Sequence, residues 1–177
     1  MPQAVTHVLI ALIIASFLRD HYINKKGRKS FPLHYVLIAG IAGLLPDFDI
    51  IVYWVLNFFG YTLLEVHRTF THTIFVPLIF VGLAFVTSKV KHKEYKMSIT
   101  GICLMIALGC SIHIILDATF MGIIRPFYPV SDMRIGLSLI NYLPLRLQSL
   151  VAPSLDAILL VLWLIYIELK HKISNFI

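Results

Sequence analysis

The chain has 177 residues, of which 59% are apolar and only 14% charged, with a formal net charge of +6. Soluble domains carry about a quarter charged residues, so this composition excludes an ordinary globular protein and points to helices packed in lipid. The positive charge does not point to nucleic acid, because the Lys and Arg residues fall into blocks between apolar runs, the pattern that orients a membrane protein.

The first apolar segment spans residues 4–18, with His7 about one turn inside. No basic stretch precedes it, so a retained helix is expected rather than a cleaved signal. It ends at Arg19-Asp20-His21 and a basic loop through Lys25, Lys26, Arg28 and Lys29. The second segment, residues 33–60, is interrupted by Leu45-Pro46-Asp47-Phe48-Asp49. Proline removes a backbone donor and restricts the residue before it, so a kink or break is expected there. Carboxylates at a break in an apolar segment are costly unless protein or a wet cavity surrounds them. Gly40 and Gly43, just ahead, would let another helix come close.

A short connector leads to the third segment, which runs to Thr87 and opens on Val66-His67-Arg68-Thr69-Phe70-Thr71-His72-Thr73. This is the densest run of ligand-type and anion-pairing groups in the chain. Capping of the third helix is the expected role for its threonines, with ligand orientation as the other reading. After a second basic loop (Lys89, Lys91, Lys93, Lys96) the fourth segment spans Met97 to about Met121. It carries His113 and Asp117 at i, i+4, on one helix face. Cys103 and Cys110 lie seven residues apart on the same predicted helix, too far to bridge, and read as packing residues. Residues 122–153 read as a long connection lying partly in the membrane interface, and 154–169 as the fifth segment, with Asp156 in its N-cap region.

The expected fold is therefore a single all-α membrane domain over residues 1–177, a bundle of about five transmembrane helices with the second interrupted at Pro46. Five spans place eleven of the fifteen Lys and Arg residues on one side, which predicts the N-terminus outside and the C-terminus in the cytoplasm. His7, Asp47, His67, His72, His113 and Asp117 then fall in the outer half of the membrane, while His21, His34, His92 and His171 fall on the basic side.

Four His (His7, His67, His72, His113) and three Asp (Asp47, Asp49, Asp117) at one depth suit a mixed nitrogen and oxygen site for zinc, with manganese or iron as alternatives and one or two ions admissible. Each residue also has a plain structural reading: an interhelical hydrogen bond for His7 or for His113 with Asp117, and a helix cap for Asp47 and Asp49. Arg68 is placed to pair with an anionic oxygen. Asp47, Asp49 and Arg68 are the candidate catalytic groups, the carboxylates as proton acceptors and Arg68 against developing negative charge.

The order Thr6-His7, Leu45-Pro46-Asp47-Phe48-Asp49, His67-Arg68-Thr69-Phe70-Thr71-His72, His113-Ile114-Ile115-Leu116-Asp117 and Arg125-Pro126-Phe127 resembles the membrane-bound metal-dependent hydrolase family of bacteria and archaea, of the LexA-regulated inner-membrane type. The resemblance covers residues 1 to about 136 and departs at Thr69, where glycine is expected. It implies a metal-dependent hydrolase. The ligand order also resembles zinc phospholipase C and the single-strand nucleases of the P1 type, without their second H-x-x-x-D/E pair, which implies phosphoester substrates. The expected partners are membrane lipids and an amphiphilic small-molecule substrate, with no nucleic acid. A metal-ion or solute transporter, or a non-catalytic protein with a structural metal, are the rival functions. A transporter needs polar groups through both membrane halves.

Overall fold

The computed structural model describes residues 4–27, 30–89 and 98–171. Arg28, Lys29, Lys91, His92, Lys93, Lys96 and Lys172, the remaining parts of the basic stretches, lie outside them. The described residues form seven α-helices: α1 (Ala4–Lys26), α2 (Leu33–Ala42), α3 (Asp49–Leu56), α4 (Leu63–Val66), α5 (Phe75–Thr87), α6 (Ile99–Leu116) and α7 (Leu145–His171). Among the described residues there is no strand, only an isolated antiparallel bridge between Ile124 and Ile135. The fold is an all-α membrane bundle.

Three helices are long and apolar enough to cross a membrane: Ala4–Lys26, Ile99–Phe120 and Leu145–Lys170. A fourth crossing is available if Leu33–Ala42 and Leu45–Phe59, bent by 47°, form one broken span. The bend has the expected cause. Pro46 opens a 3-10 turn over Leu45–Phe48, and the Asp47 amide bonds to the Leu44 carbonyl at 3.1 Å. The Gly43 carbonyl, which a continuous α-helix would satisfy through that same amide, is left free for another partner. The third segment is a shorter helix: α5 has 13 residues, roughly 20 Å by helical rise, against about 30 Å of hydrocarbon.

Contacts along the helices show how the chain runs. Leu12 packs at Gly40, and the His7 carbonyl lies by Gly43, so α1 and α2 are antiparallel. Tyr35 meets Ser98, and Ala42 meets Cys110, so α2 and α6 run together. Thr87 meets Thr100 while His72 meets His113, so α5 runs against α6. Thr6 bonds Asp156, and Tyr166 bonds Asp20, so α7 runs alongside α1. All five segments thus pass between the same two ends of the bundle. One end holds Lys25, Lys26, Lys89 and Lys170; the other holds His7, Asp47, Asp49, His67, His72, His113 and Asp117.

Small residues make the close packing possible. Ala11 and Ala15 of α1 and Ala39 of α2 are fully buried, and Cys103 and Cys110 are buried free thiols, the packing role expected of them. A Cβ on Gly43 would stand 2.9 Å from the His7 carbonyl oxygen, so only glycine lets α1 and α2 meet there.

The start of the last helix differs from the sequence reading. The last helix begins at Leu145, not 154, and runs through Pro153. Pro153 and Ser149, whose carbonyl the proline ring displaces, are both exposed, so no buried carbonyl is orphaned. Asp156 therefore lies inside α7, not at its cap, and is buried against Thr6. The connection before α7 is tied to the bundle by backbone bonds, Ile74 to Pro126 at 2.9 Å and Leu137 to Ala118 at 2.7 Å.

Candidate metal centre

Four stretches of chain deliver the site. α1 contributes His7 and the broken corner after α2 contributes Asp47 and Asp49. The turns between α4 and α5 contribute His67, Arg68, Thr71 and His72, and the end of α6 contributes His113 and Asp117. The last of these opens a turn of π-helix over Asp117–Met121, a form often found at functional sites. All seven residues expected as ligands come together. His7, His113 and Asp117 form one group and Asp47, His67 and His72 another, each with its ligand atoms within 4.8 Å of one another.

The groups meet through His72 and His113. The Nδ1 of His113 lies 2.6 Å from the carbonyl oxygen of Gly43, the carbonyl freed by the helix break. A carbonyl only accepts, so this Nδ1 carries the proton. Thr71 Oγ1 donates to Asp49 Oδ2 at 2.9 Å. Its oxygen and that carboxylate, 3.1 and 3.3 Å from His72 Nδ1, are then both acceptors, so His72 Nδ1 also carries a proton. The two Nε2 atoms consequently turn toward each other, 3.1 Å apart in fully buried rings. Two imidazole lone pairs at that distance require a cation or an extra proton between them.

The surrounding oxygens fit a cation. Asp47 Oδ1 lies 3.5 Å from both Nε2 atoms, and Asp117 Oδ2 lies 3.6 Å from that of His72. Four ligands at zinc distances of about 2.0–2.1 Å in a tetrahedron stand roughly 3.3–3.4 Å apart. His7 adds a second sign of a missing partner. It is 1% exposed and stacked on His113 at 4.0 Å, yet neither ring nitrogen has a hydrogen bond among the described residues. Its Nε2 is 3.5 Å from Asp117 Oδ1. The donor set fits a divalent ion.

Asp49 is fully engaged on the protein side. Its Oδ1 faces His67 Nδ1 at 2.9 Å, and its Oδ2 takes the Thr71 hydroxyl and the Arg68 amide, the latter at 3.1 Å. A carboxylate behind two histidines fixes tautomer and ring orientation. Asp47, by contrast, meets His72 and His113 through Oδ1, and its Oδ2 makes no hydrogen bond among the described residues. Neither Asp caps a helix: Asp49 is the first residue of α3, and no side chain bonds that helix start. The threonines do not cap α5 either, since its N-cap is Ile74 without a side-chain bond. Turns occupy 67–74, so Thr69 donates instead to the Val66 carbonyl and Thr73 to that of Phe70. Before these turns, the carboxylate of Glu65 accepts from the amide and hydroxyl of Thr62, which hold it below the usual carboxylate range.

Arg68 has a backbone φ of 63°, a conformation that strains a side chain bearing a Cβ. Its Nε stands 3.0 Å from Asp117 Oδ2, off the in-line direction, so the contact is a charge pair rather than a good hydrogen bond. A Cβ at Gly122 would lie 2.7 Å from Nη1, so glycine there opens the slot for the guanidinium. Sequence reasoning did not anticipate Gly43 and Gly122 in these roles, whereas Thr71 takes the ligand-orienting role that was the other reading of the threonines. Pro46 signals a break, but by the i−4 rule it points to the Ala42 carbonyl; that of Gly43 is freed by the 3-10 turn, which the sequence does not spell out. His21 and His34 are exposed, away from the site.

No curated protein and no solved structure matches the chain. Residues 1–173 match the family described as YdjM inner membrane protein, which agrees with the bundle of apolar helices. The chain belongs to the YdjM inner membrane protein family.

Proposed function

We propose that the protein is a membrane-embedded, metal-dependent hydrolase of an ester or phosphoester in a lipid-like substrate. One observation carries this reading: two imidazole nitrogens with both outer protons committed elsewhere face each other at 3.1 Å among carboxylates. His72, His113, Asp47 and Asp117 would hold the ion, zinc first and manganese or iron next, with His7 as a further nitrogen beside Asp117. A second ion would have to share Asp117 with His7, next to the Arg68 charge. When bound, a divalent ion acidifies water and polarises a phosphoryl or acyl oxygen. Asp49 holds His67 and His72 in place. The open Oδ2 of Asp47 accepts a proton from water, and Arg68 offsets the negative charge that develops.

The site lies at the end of the bundle opposite Lys25, Lys26, Lys89 and Lys170. The charge asymmetry supports a cytoplasmic C-terminus, an external N-terminus and a site near the outer membrane face. Transport is less well supported. Between the site and the basic end the described core is built from Ala11, Ala15, Val36, Ala39, Cys103, Ala107 and Cys110 with the hydroxyls of Ser16 and Tyr35, and these residues carry no charge to make an ion path.

The test is elemental analysis of the detergent-purified protein beside His72→Ala and Asp117→Ala, followed by hydrolysis assays. Metal in the wild type and its loss in both variants are expected. Equal metal content in all three would remove the basis for the site.

A further inference from the structure

Arg68 and the charges around it define more than a reaction class. The site holds three carboxylates, Asp47, Asp49 and Asp117, against one guanidinium and, on the reading above, one divalent ion. Those charges balance, as low-dielectric surroundings demand. The Arg68 amide is held by Asp49 and its Nε by Asp117, while its Nη groups make no hydrogen bond among the described residues. Phe48 and Phe70, interleaved in sequence with the site residues, are exposed at 56% and 64%, and Phe70 meets Tyr128 edge to face.

We propose that the substrate is a singly charged phosphodiester of a membrane lipid, read by the Nη groups of Arg68. This rests on the hydrolase reading of the same site. A neutral carboxylic ester would leave the guanidinium fork facing one weak acceptor. A phosphate monoester would bring two negative charges to a site already balanced. A phosphodiester brings one, and its two non-bridging oxygens match the paired donors of arginine. The exposed aromatic rings face the acyl chains of the same lipid. In the reaction, a water oxygen bonds to phosphorus as the bond to one alcohol oxygen breaks. One water proton passes to Asp47 and on to the departing alkoxide. The other is released as the product monoester ionises.

The experiment uses the zinc-loaded full chain in detergent, with bis(p-nitrophenyl) phosphate, p-nitrophenyl phosphate and p-nitrophenyl butyrate, and dioctanoyl phosphatidylglycerol as the lipid. The diester should exceed the monoester in kcat/KM by at least about tenfold, since the monoester brings a second negative charge that the Arg68 fork does not offset. Arg68→Met should lower diester turnover by about 100-fold, the usual cost of a lost charge-stabilising donor. It should also lower the ratio of diester to butyrate turnover by at least about tenfold, with zinc content kept, and Arg68→Lys should restore only part of it. Turnover of the soluble diester without the lipid would reject the lipid source. A preference for monoester, or equal losses on diester and butyrate, would overturn the proposal while leaving a hydrolase. If nothing is turned over, the hydrolase reading fails, and binding decides. Phosphatidylglycerol should still bind at least about tenfold tighter than dioctanoylglycerol, and only when Arg68 is present; equal binding overturns the inference.

Discussion

Helix α1 carries polar groups at both of its ends, and the two ends solve burial in different ways. At the basic end, donors meet acceptors. Tyr166 donates to the Asp20 carboxylate, Arg19 stands 3.8 Å from the same group, and the Tyr35 hydroxyl takes the Ser98 amide at 2.7 Å. At the other end, acceptors meet acceptors. His72 and His113 turn lone pairs to each other, and His7 has no hydrogen-bond partner on either nitrogen among the described residues. The first arrangement sets donors and positive charge against acceptors, whereas the second sets lone pairs against each other and calls for a cation or an extra proton. Ligand sites in membrane helices are recognised less by how polar they are than by whether donor faces acceptor.

The contrast is broken most directly by His113→Ala. Zinc affinity should fall by more than the roughly 10–100-fold loss that follows removal of an orienting residue. Tyr166→Phe at the basic end should leave the metal content unchanged. Elemental analysis of both after dialysis against a weak chelator checks this, and equal retention would refute the assignment. Asp49→Asn sharpens the same division. Asparagine keeps the shape but loses the charge behind His67 and His72, so zinc should bind about 10–100-fold more weakly without being lost. Complete loss, measured by competition with a fluorescent chelator, would make Asp49 a ligand instead.

Much of this was legible in the sequence. Hydropathy marked all five segments, Pro46 marked the bend, and the i, i+4 spacing placed His113 and Asp117 on one face. What stayed hidden depends on partners far along the chain. Asp156 reads as a cap because Pro153 lies just before it, but α7 continues through an exposed proline and the carboxylate meets Thr6. The threonines of 67–74 read as caps because that is the common local role. Here the turns delay the helix, and Thr71 instead serves Asp49. Thr69 stands where the resemblance to the membrane-bound metal-dependent hydrolases implies glycine. The backbone accommodates it, because the positive φ falls one residue earlier, on Arg68, and the Thr69 hydroxyl closes on the Val66 carbonyl.

Gly43→Ala tests whether the site depends on close approach of α1. The added Cβ would meet the His7 carbonyl at 2.9 Å, and neither backbone yields easily. Overpacking of this kind costs about 1–3 kcal/mol, and because the Gly43 carbonyl holds His113, metal affinity should fall with it. Thermal unfolding in detergent with and without zinc would show both effects. A stable variant with full zinc affinity would mean that α1 and α2 can part at this point without disturbing His113.

The smallest change is expected from Tyr35→Phe at the basic end. The ring would keep its place against Phe31, with centroids 5.3 Å apart, and only the hydroxyl that joins α2 to the start of α6 would go. That hydroxyl takes the Ser98 amide and lies 3.2 Å from the Ser98 side chain, which itself caps α6 by accepting from the Gly101 amide. Removing it should destabilise the protein by about 1 kcal/mol, the net worth of an ordinary hydrogen bond, and lower the unfolding temperature modestly. Zinc content should not change, because the cap and the ring packing both survive and the site lies at the far end of α6. If zinc were lost along with the hydroxyl, the two ends of α6 would be coupled, and the site would depend on register set where the helix begins.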